Sequence, residues 1–199
     1  MNIAVLCSGN GTNLQVIIDK VKSGYIPARI AIVISDKADA LALERAKRAR
    51  LETLFLNPKN FKTREEFDRE LVKKLRDKDV DIVVMAGFIR LVTPYFIEAY
   101  RDKIINIHPS LLPAFKGAHG IRDALEYGVK VTGATAHLVE MELDSGPIIM
   151  QKALEVKEDD TEKTLAQRVH EAEYKVFPEA IKLLVEGRVK IEGRRVKIS

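Results

Sequence analysis

The chain has 199 residues, of which 46% are hydrophobic, and no extended polar or low-complexity tract interrupts it. This length suits one large domain with a sizeable core. Its longest apolar runs stop short of the ~18–20 residues that a membrane-spanning helix needs. Residues 1–7 are also too short an apolar stretch for a secretory signal. We therefore predict a soluble, cytoplasmic protein that has no membrane partner.

The charge pattern allows a nucleic-acid-binding protein, but the sequence has no motif that supports one. The 33 Lys and Arg exceed the 29 Asp and Glu by four, and the two signs alternate along helices such as residues 44–50 and 65–78. No aromatic-flanked basic patch and no zinc-ligand spacing is present. Small anionic substrates are enough to account for a mild positive charge. We expect small-molecule partners, no metal and no nucleic acid, in a monomer or a homodimer.

Strands and helices alternate over the first 110 residues. Strands are predicted at residues 2–7, 29–35, 52–56 and 81–86 and around residues 104–108. Helices are predicted from residue 13 with Thr12 as N-cap, over residues 38–50, from a Thr63–Glu66 capping box to about residue 77, and briefly from Pro94. Such alternation predicts a parallel, doubly wound sheet with right-handed crossovers.

The pattern changes after Pro113. One helix is predicted at residues 121–127, followed by two strands at residues 132–140 and 147–156 that a six-residue loop joins as an antiparallel pair. A long helix over residues 161–186 and a terminal hairpin over residues 187–199 complete the chain. The fold class is therefore α/β, with a mainly parallel sheet and antiparallel carboxyl-terminal strands.

A glycine-containing loop, Ser-Gly-Asn-Gly-Thr-Asn at residues 8–13, joins the first strand to the first helix. Backbone N–H groups and the positive end of a helix can hold a phosphate there. Leu14 occupies the position where a dinucleotide fingerprint needs its third glycine, so the loop does not favour NAD. Asp36, after the second strand, is interpreted as a turn or N-cap residue rather than a ribose ligand.

Two polar side chains, Asn106 and His108, interrupt the apolar run Ile-Ile-Asn-Ile-His. Side chains alternate along a strand, so both point to one face, and Pro109 ends the strand just after them. Ligands bind at the carboxyl ends of such strands. An amide and an imidazole there could stabilise an oxyanion and move a proton during attack on a carbonyl. A structural hydrogen-bonded pair is the alternative.

Three further polar positions are candidates. Asp144, in Leu-Asp-Ser-Gly-Pro, is either a turn former or a carboxylate that keeps His108 charged. His170 and Glu173 share a helical face with Phe177, which places Glu173 at the edge of the core, where it could bind an amine or hydroxyl. Cys7 is interpreted as a small core residue. His137 alternates with Thr135 on its strand and is interpreted as a packed side chain, with a position facing the same cleft as the alternative. His119 lies in a loop, where solvent exposure is equally consistent with its position.

Two motifs resemble the formyltransferases that use 10-formyltetrahydrofolate. They are Asn-Ile-His-Pro-Ser-Leu-Leu-Pro at residues 106–113 and Gly-Ala-Thr-Ala-His-Leu-Val-Glu-Met-Glu-Leu-Asp-Ser-Gly-Pro at residues 133–147. With the glycine loop and the chain length, the resemblance narrows to the phosphoribosylglycinamide formyltransferases of purine synthesis. It implies one formyltransferase domain, residues 1–199, with a phosphate-binding half at 1–110 and a folate and catalytic half at 111–199.

The resemblance also implies roles. Asn106, His108 and Asp144 would be catalytic, and Leu112-Pro113 would be a cis peptide. Ribonucleotide contacts would come from Gly11, Thr12, Asn13, His170 and Glu173, although His170 stands where the family commonly has glutamine. Contacts to the co-substrate, 10-formyltetrahydrofolate, would come from Arg64, Ile89, Arg90, Leu91, Val92, Asn106, Glu140, Met141, Glu142, Leu143 and Asp144.

Two other functions remain open. A formyltetrahydrofolate deformylase would use the same residues with water in place of the amine. A noncatalytic nucleotide-binding or RNA-binding module would use the glycine loop and the basic surface, and its RNA affinity would fall steeply with salt.

Overall fold

Apolar strands alternate with amphipathic helices in the first half of the chain, and the computed structural model, which describes residues 1–199, has the elements that this alternation predicts. The chain divides into two compact units, Met1–Asn106 and Ile107–Ser199. The elements of the first unit are β1 (Asn2–Cys7), α1 (Thr12–Lys22), β2 (Arg29–Ser35), α2 (Leu41–Arg48), β3 (Thr53–Phe55), a 3-10 turn (Pro58–Asn60), α3 (Arg64–Arg76), β4 (Ile82–Met85) and α4 (Pro94–Ala99).

Strand β5 (Ile104–His108) begins in the first unit and ends in the second. The second unit continues with α5 (Gly120–Tyr127), β6 (Val131–Leu138), β7 (Ile148–Glu155), α6 (Glu162–Val185), β8 (Val189–Glu192) and β9 (Arg195–Ile198). No helix is both long enough and apolar enough to cross a membrane.

The sheet has the strand order β3-β2-β1-β4-β5-β6-β7, and β8 and β9 form a separate hairpin. Strands β1 to β5 pair in parallel, whereas β6 and β7 are antiparallel. The predicted fold class is confirmed. Because β2 and β4 lie on opposite sides of β1, the strand order reverses between β1 and β4, and in open α/β sheets ligands bind at such a reversal.

The central strands form the core of the first unit. Residues 3–7 of β1 and residues 83–84 of β4 are fully buried, which explains their continuous apolar runs. Cys7 is one of these residues, and burial raises the pKa of its thiol to about 12. Its side chain is therefore a protonated core group, as predicted.

Several predicted boundaries are wrong. Helix α1 begins at Thr12, and its N-cap is Gly11, in the left-handed region and without a side-chain cap. Helix α2 is shorter than residues 38–50, and its N-cap is Ala40 rather than Asp36. Asp36 lies buried in a bend directly after β2, which agrees with its interpretation as a turn residue, and its Oδ1 atom accepts no hydrogen bond. Strand β3 is shorter than residues 52–56.

The loop between β6 and β7 is also longer than predicted. Strand β6 ends at Leu138 rather than residue 140, so the loop covers residues 139–147. The Thr63 cap is present, since its hydroxyl accepts the N–H of Glu66. The Glu66 carboxylate, however, accepts the N–H of Lys62 rather than that of the cap residue, so the box is only half formed.

Candidate active site

His108 lies at the carboxyl end of β5 and is 3% exposed. Its Nε2 atom is 2.7 Å from the Phe115 carbonyl oxygen, and its Nδ1 atom is 3.4 Å from Oδ2 of Asp144. A carbonyl oxygen can only accept, so Nε2 carries a proton. Both ring nitrogens therefore face oxygen acceptors, and an imidazole protonated at both positions satisfies both.

Asp144 belongs to the loop at residues 139–147 and has a positive φ of 49°. Its side chain is 7% exposed, and its Oδ2 atom accepts the N–H of Gly117 at 2.8 Å. Its Oδ1 atom is 3.7 Å from Nε2 of His137. The buried carboxylate therefore has a hydrogen-bond donor in the Gly117 N–H and lies beside two imidazole rings.

His137 was predicted to pack, with a position facing the cleft as the alternative, and the sequence did not predict its contact with Asp144. Its Nδ1 atom donates to the Leu138 carbonyl oxygen at 2.7 Å. Burial lowers the pKa of this imidazole, with partial compensation from the Leu138 hydrogen bond and Asp144. The available signal was the alternation of His137 with Thr135 on β6, which gives both side chains the same face.

The segment after His108 is held by a network from β6 and β7. Thr135 donates its hydroxyl to the Ser110 carbonyl oxygen at 2.7 Å and accepts the N–H of Leu112 at 3.1 Å. The Gln151 amide donates to Thr135 and to the Leu112 carbonyl oxygen. The Leu112–Pro113 peptide is cis, as predicted. These contacts fix the backbone that leads away from His108.

Asn106 lies two residues before His108 on β5, where it pairs with Met85 and is half-buried. His119 precedes helix α5 and is exposed, in agreement with its interpretation.

The glycine loop follows β1 in the first unit, at the strand-order reversal. Gly11 has a φ of 70°, and a Cβ atom added to it would lie 2.6 Å from Cα and Cβ of Ala42. Two loop carbonyl groups bond to helix α2: Gly9 accepts from Ala42 N–H at 3.1 Å, and Asn10 accepts from Nε of Arg45 at 2.8 Å. Helix α2 therefore holds the loop by hydrogen bonds to the carbonyl groups of the loop.

The segment at residues 89–92 follows β4, next to the same loop. Ser8 donates its N–H to the Gly87 carbonyl oxygen, and its hydroxyl accepts the N–H of Ile89 at 3.1 Å. Arg90 lies over the Phe67 ring, 4.6 Å from its centroid. Ile89 and Leu91 are 73% and 53% exposed.

Buried Asp68, which sequence reasoning also missed, fixes the far end of that segment. Its carboxylate accepts the N–H of Thr93 at 2.6 Å. Burial raises the pKa of Asp68, opposed by the Thr93 hydrogen bonds and by Arg90 and Arg64. Arg64 itself is exposed at the first position of α3.

The loop at residues 140–144 has a mixed surface. Met141 and Leu143 are exposed, while the Glu142 carboxylate accepts from Lys116 Nζ at 2.8 Å. This ion pair lowers the pKa of Glu142. Ser145 donates its hydroxyl to the Glu142 carbonyl oxygen at 2.7 Å, which closes the loop on itself.

On helix α6, Nδ1 of His170 is 2.9 Å from Oε2 of Glu173. Glu173 is buried, whereas the side chain of His170 is 45% exposed. The hydrogen bond to Glu173 raises the pKa of His170 against the opposing effect of partial burial. Phe177 is fully buried, as its place on this helical face predicts.

The structure contains no group of three or more His, Cys, Asp or Glu side chains that could hold a metal ion.

A family model described as formyl transferase matches residues 1–181. The phosphoribosylglycinamide formyltransferase of Escherichia coli (strain K12) is 44% identical over 191 residues, which cover 96% of this chain and 90% of that protein. The human trifunctional purine biosynthetic protein adenosine-3 is 46% identical over 196 residues, 98% of this chain. The chain spans 19% of the length of that trifunctional protein.

Solved structures of formyltransferases have the same fold as this chain. Glycinamide ribonucleotide transformylase 1 from Symbiobacterium toebii has a TM-score of 0.98 at 50% identity, covering 100% of this chain and 93% of that chain. Phosphoribosylglycinamide formyltransferase from Bacillus halodurans has a TM-score of 0.90 at 41% identity, covering 93% of this chain and 95% of that chain. By the family model, and by the Escherichia coli relative that aligns along 90% of its length, this chain belongs to the formyl transferase family.

Proposed function

We propose that this chain transfers the formyl group of 10-formyltetrahydrofolate to the amine of N1-(5-phospho-D-ribosyl)glycinamide. The products are the N2-formyl ribonucleotide and tetrahydrofolate, as a step of de novo purine synthesis. The observation that carries the proposal is the buried carboxylate of Asp144 beside His108, in a chain of the formyl transferase family.

The reaction makes one C–N bond and breaks another. The amine nitrogen attacks the formyl carbon, and the carbonyl electron pair moves to oxygen, which gives a tetrahedral oxyanion. The bond from that carbon to N10 of the folate then breaks. One proton leaves the attacking nitrogen, and one proton reaches N10. The site therefore has to stabilise an oxyanion and carry a proton between two nitrogens.

His108 is proposed to stabilise the oxyanion. When both ring nitrogens are protonated, the ring is positively charged at the end of β5, with Asp144 opposite Nδ1. The Nε2 proton now bonds to the Phe115 carbonyl oxygen. We expect the oxyanion to replace that carbonyl as the acceptor. Asn106, on the same strand, is proposed as a second donor, because its amide carries two N–H groups.

Asp144 is proposed to keep His108 charged and oriented and to pass the proton from the amine to N10. The neutral state of His137 supports this role. Burial lowers the pKa of His137, so at neutral pH this ring adds no positive charge next to the carboxylate. The negative charge of Asp144 then acts on His108.

Substrate contacts are proposed from the same family likeness. The phosphate would bind backbone N–H groups at Gly11, Thr12 and Asn13, because helix N-termini attract anions. His170 and Glu173 would contact the ribose and amine. The folate would contact Arg64, the segment at residues 89–92 and the loop at residues 140–144. The exposed side chains of Ile89, Leu91, Met141 and Leu143 support this, since exposed apolar side chains often mark ligand surfaces.

We further propose a cytoplasmic enzyme that acts without a metal, as a monomer or homodimer, on small molecules rather than nucleic acid. Tetrahydrofolate formation should be unchanged by a chelator. If the chelator inhibits the reaction and added metal restores it, the metal-free proposal is contradicted.

The decisive experiment measures tetrahydrofolate formation by purified protein with 10-formyltetrahydrofolate, first with and then without the ribonucleotide. We expect turnover only when the ribonucleotide is present. Formate release at a similar rate in its absence would instead favour a deformylase. No turnover under either condition, together with RNA binding that weakens steeply with salt, would favour a noncatalytic module.

A further inference from the structure

We infer that Arg194, on the carboxyl-terminal hairpin, is a positioning residue for the loop that carries Asp144. The inference rests on the proposed function, because it assigns Arg194 to the same reaction. The β8–β9 hairpin lies beyond residue 181, where the match to the family model ends. The role of this segment therefore has to be argued from its own contacts.

The loop at residues 139–147 has a backbone that needs support. Asp144 is a non-glycine residue in the left-handed region, with a φ of 49°. A residue with a Cβ atom is less stable in this conformation than glycine, so surrounding contacts help to keep it there. On one side, Gly146 lies so close to β6 that an added Cβ would be 1.9 Å from the Leu138 carbonyl oxygen. The loop thus has little freedom where it rejoins the sheet.

Arg194 holds the loop at Ser145. Its Nη2 atom donates to the Ser145 carbonyl oxygen at 2.6 Å, and Ser145 directly follows Asp144. A hydrogen bond from a charged donor is stronger than a neutral one. Arg194 also contributes to the lowered pKa of Glu142, after the larger effect of Lys116. The guanidinium therefore acts on the loop through both a directed bond and its charge.

The hairpin can hold Arg194 in place. Gly193, with a φ of 60°, forms the turn between the paired residues Glu192 and Arg195. Arg188, just before β8, donates from Nε to the Ser199 carbonyl oxygen, which ties the two ends of the hairpin together. Strand β9 also lies against β7, which follows the loop.

The position of the loop matters because the Asp144–His108 separation is 3.4 Å, longer than a strong charged hydrogen bond. A shift of a few tenths of an ångström therefore changes the strength of this contact. Arg194 bonds to the Ser145 backbone and forms no hydrogen bond with His108. Its effect on the reaction passes through the backbone of Ser145 to the Asp144 carboxylate.

The test compares R194A and R194K with R195A, which removes the same charge from the next residue of the hairpin. We expect R194A to lower kcat by about 10-fold, with little change in KM for either substrate. R194K should recover part of kcat, because a lysine can still donate to the carbonyl. R195A should match wild type, since the exposed Arg195 forms no hydrogen bond or ion pair with the loop.

Two further measurements separate positioning from a general loss of stability. In a D144N background, R194A should lower kcat no further, whereas an effect that is independent of Asp144 would add to that of D144N. Amide hydrogen exchange of residues 141–146 should be faster in R194A than in R195A or wild type.

Equal kcat and equal exchange in R194A and R195A would overturn the inference while the proposed function stood. An inactive wild-type chain would contradict the proposed function instead. The exchange measurement would still test whether Arg194 holds the loop, because it does not require activity.

Discussion

The glycine loop of the first unit and the His108–Asp144–His137 cluster of the second are built from different parts of the chain. The loop uses backbone groups: a left-handed Gly11 fitted against Ala42, and carbonyl groups that bond to helix α2. The cluster uses buried titratable side chains, two imidazoles and one carboxylate. Both follow the carboxyl ends of sheet strands, β1 for the loop and β5 and β6 for the cluster.

This difference determines which substitutions should impair each region. A backbone site is damaged when atoms are added, because a new Cβ displaces the peptide groups that we propose to bind the phosphate. A side-chain site is damaged when atoms are removed, because the chemistry itself is lost. We therefore expect substitutions in the loop to raise KM for the ribonucleotide and substitutions in the cluster to lower kcat.

The largest expected effect is that of H108A. Removal of a catalytic acid–base group typically lowers the rate by ~10²–10⁴-fold. We expect kcat for formyl transfer to fall in this range, with the fold intact by circular dichroism. H119A, which changes an exposed histidine, is the matched control and should retain activity. Wild-type turnover by H108A would remove His108 from the mechanism.

The next effect is that of G11A against G9A. An alanine at residue 11 would be strained at a φ of 70° and would collide with Ala42, whereas a Cβ at Gly9 meets nothing within 4 Å. We expect G11A to lose about 1–3 kcal/mol of unfolding free energy and to raise KM for the ribonucleotide.

Urea unfolding and steady-state kinetics of both glycine variants measure these effects, and G9A should change each quantity much less. If G11A and G9A behave alike, the backbone of Gly11 does not define the phosphate site.

A smaller effect is expected for R45Q. Arg45 donates to the Asn10 carbonyl oxygen and so helps to hold the loop. The loss of one partly exposed charged hydrogen bond corresponds to about 1 kcal/mol, or about a fivefold rise in KM for the ribonucleotide. R48Q, on the same helix, is the control.

Kinetics with a substrate that lacks the phosphate test whether Arg45 acts through the glycine loop. If Arg45 acts through the phosphate loop, R45Q and wild type should use glycinamide riboside equally well. A similar loss with both substrates would show that Arg45 acts elsewhere.

The smallest effect concerns pH and stability. The hydrogen bond to Glu173 raises the pKa of His170 in the folded state. Its stabilising effect is then fully present below the unfolded value of ~6.5 and is lost as pH rises through the folded value. Because His170 is 45% exposed, solvent screening limits the effect to less than about 1 kcal/mol.

Melting temperatures of wild type and H170Q between about pH 5.5 and 9 measure this difference. We expect the advantage of the wild type to shrink as pH rises. Parallel curves would show that the His170–Glu173 pair does not contribute to stability.

The sequence predicted the fold class and the family, and both are confirmed. The bounds of β2 were predicted without error because an apolar run ends at polar residues on both sides. The start of α1 was predicted one residue too late. Thr12 is a favourable N-cap residue type, but the N-cap is Gly11, which adopts a left-handed backbone against Ala42. Local preference there gave way to a tertiary contact.

In the site, too, local features could be predicted from the sequence and tertiary contacts could not. Asn106 and His108 could be assigned to one strand face from their spacing alone, because side chains alternate along any strand. Asp144, Arg45 and Arg194 contact His108, Asn10 and Ser145 across long sequence separations. His137 meets Asp144 across the loop that follows its own strand. No local pattern specifies which distant group a loop residue meets.

By itself, the sequence determined the order and type of the strands and helices and which residues could perform chemistry, because periodicity and side-chain type are local properties. The tertiary structure alone decided that the Asp144 carboxylate lies beside both His108 and His137 and that the hairpin reaches Ser145. These contacts depend on how β5, β6, β7 and the loops between them pack, and packing is a property of the folded chain as a whole.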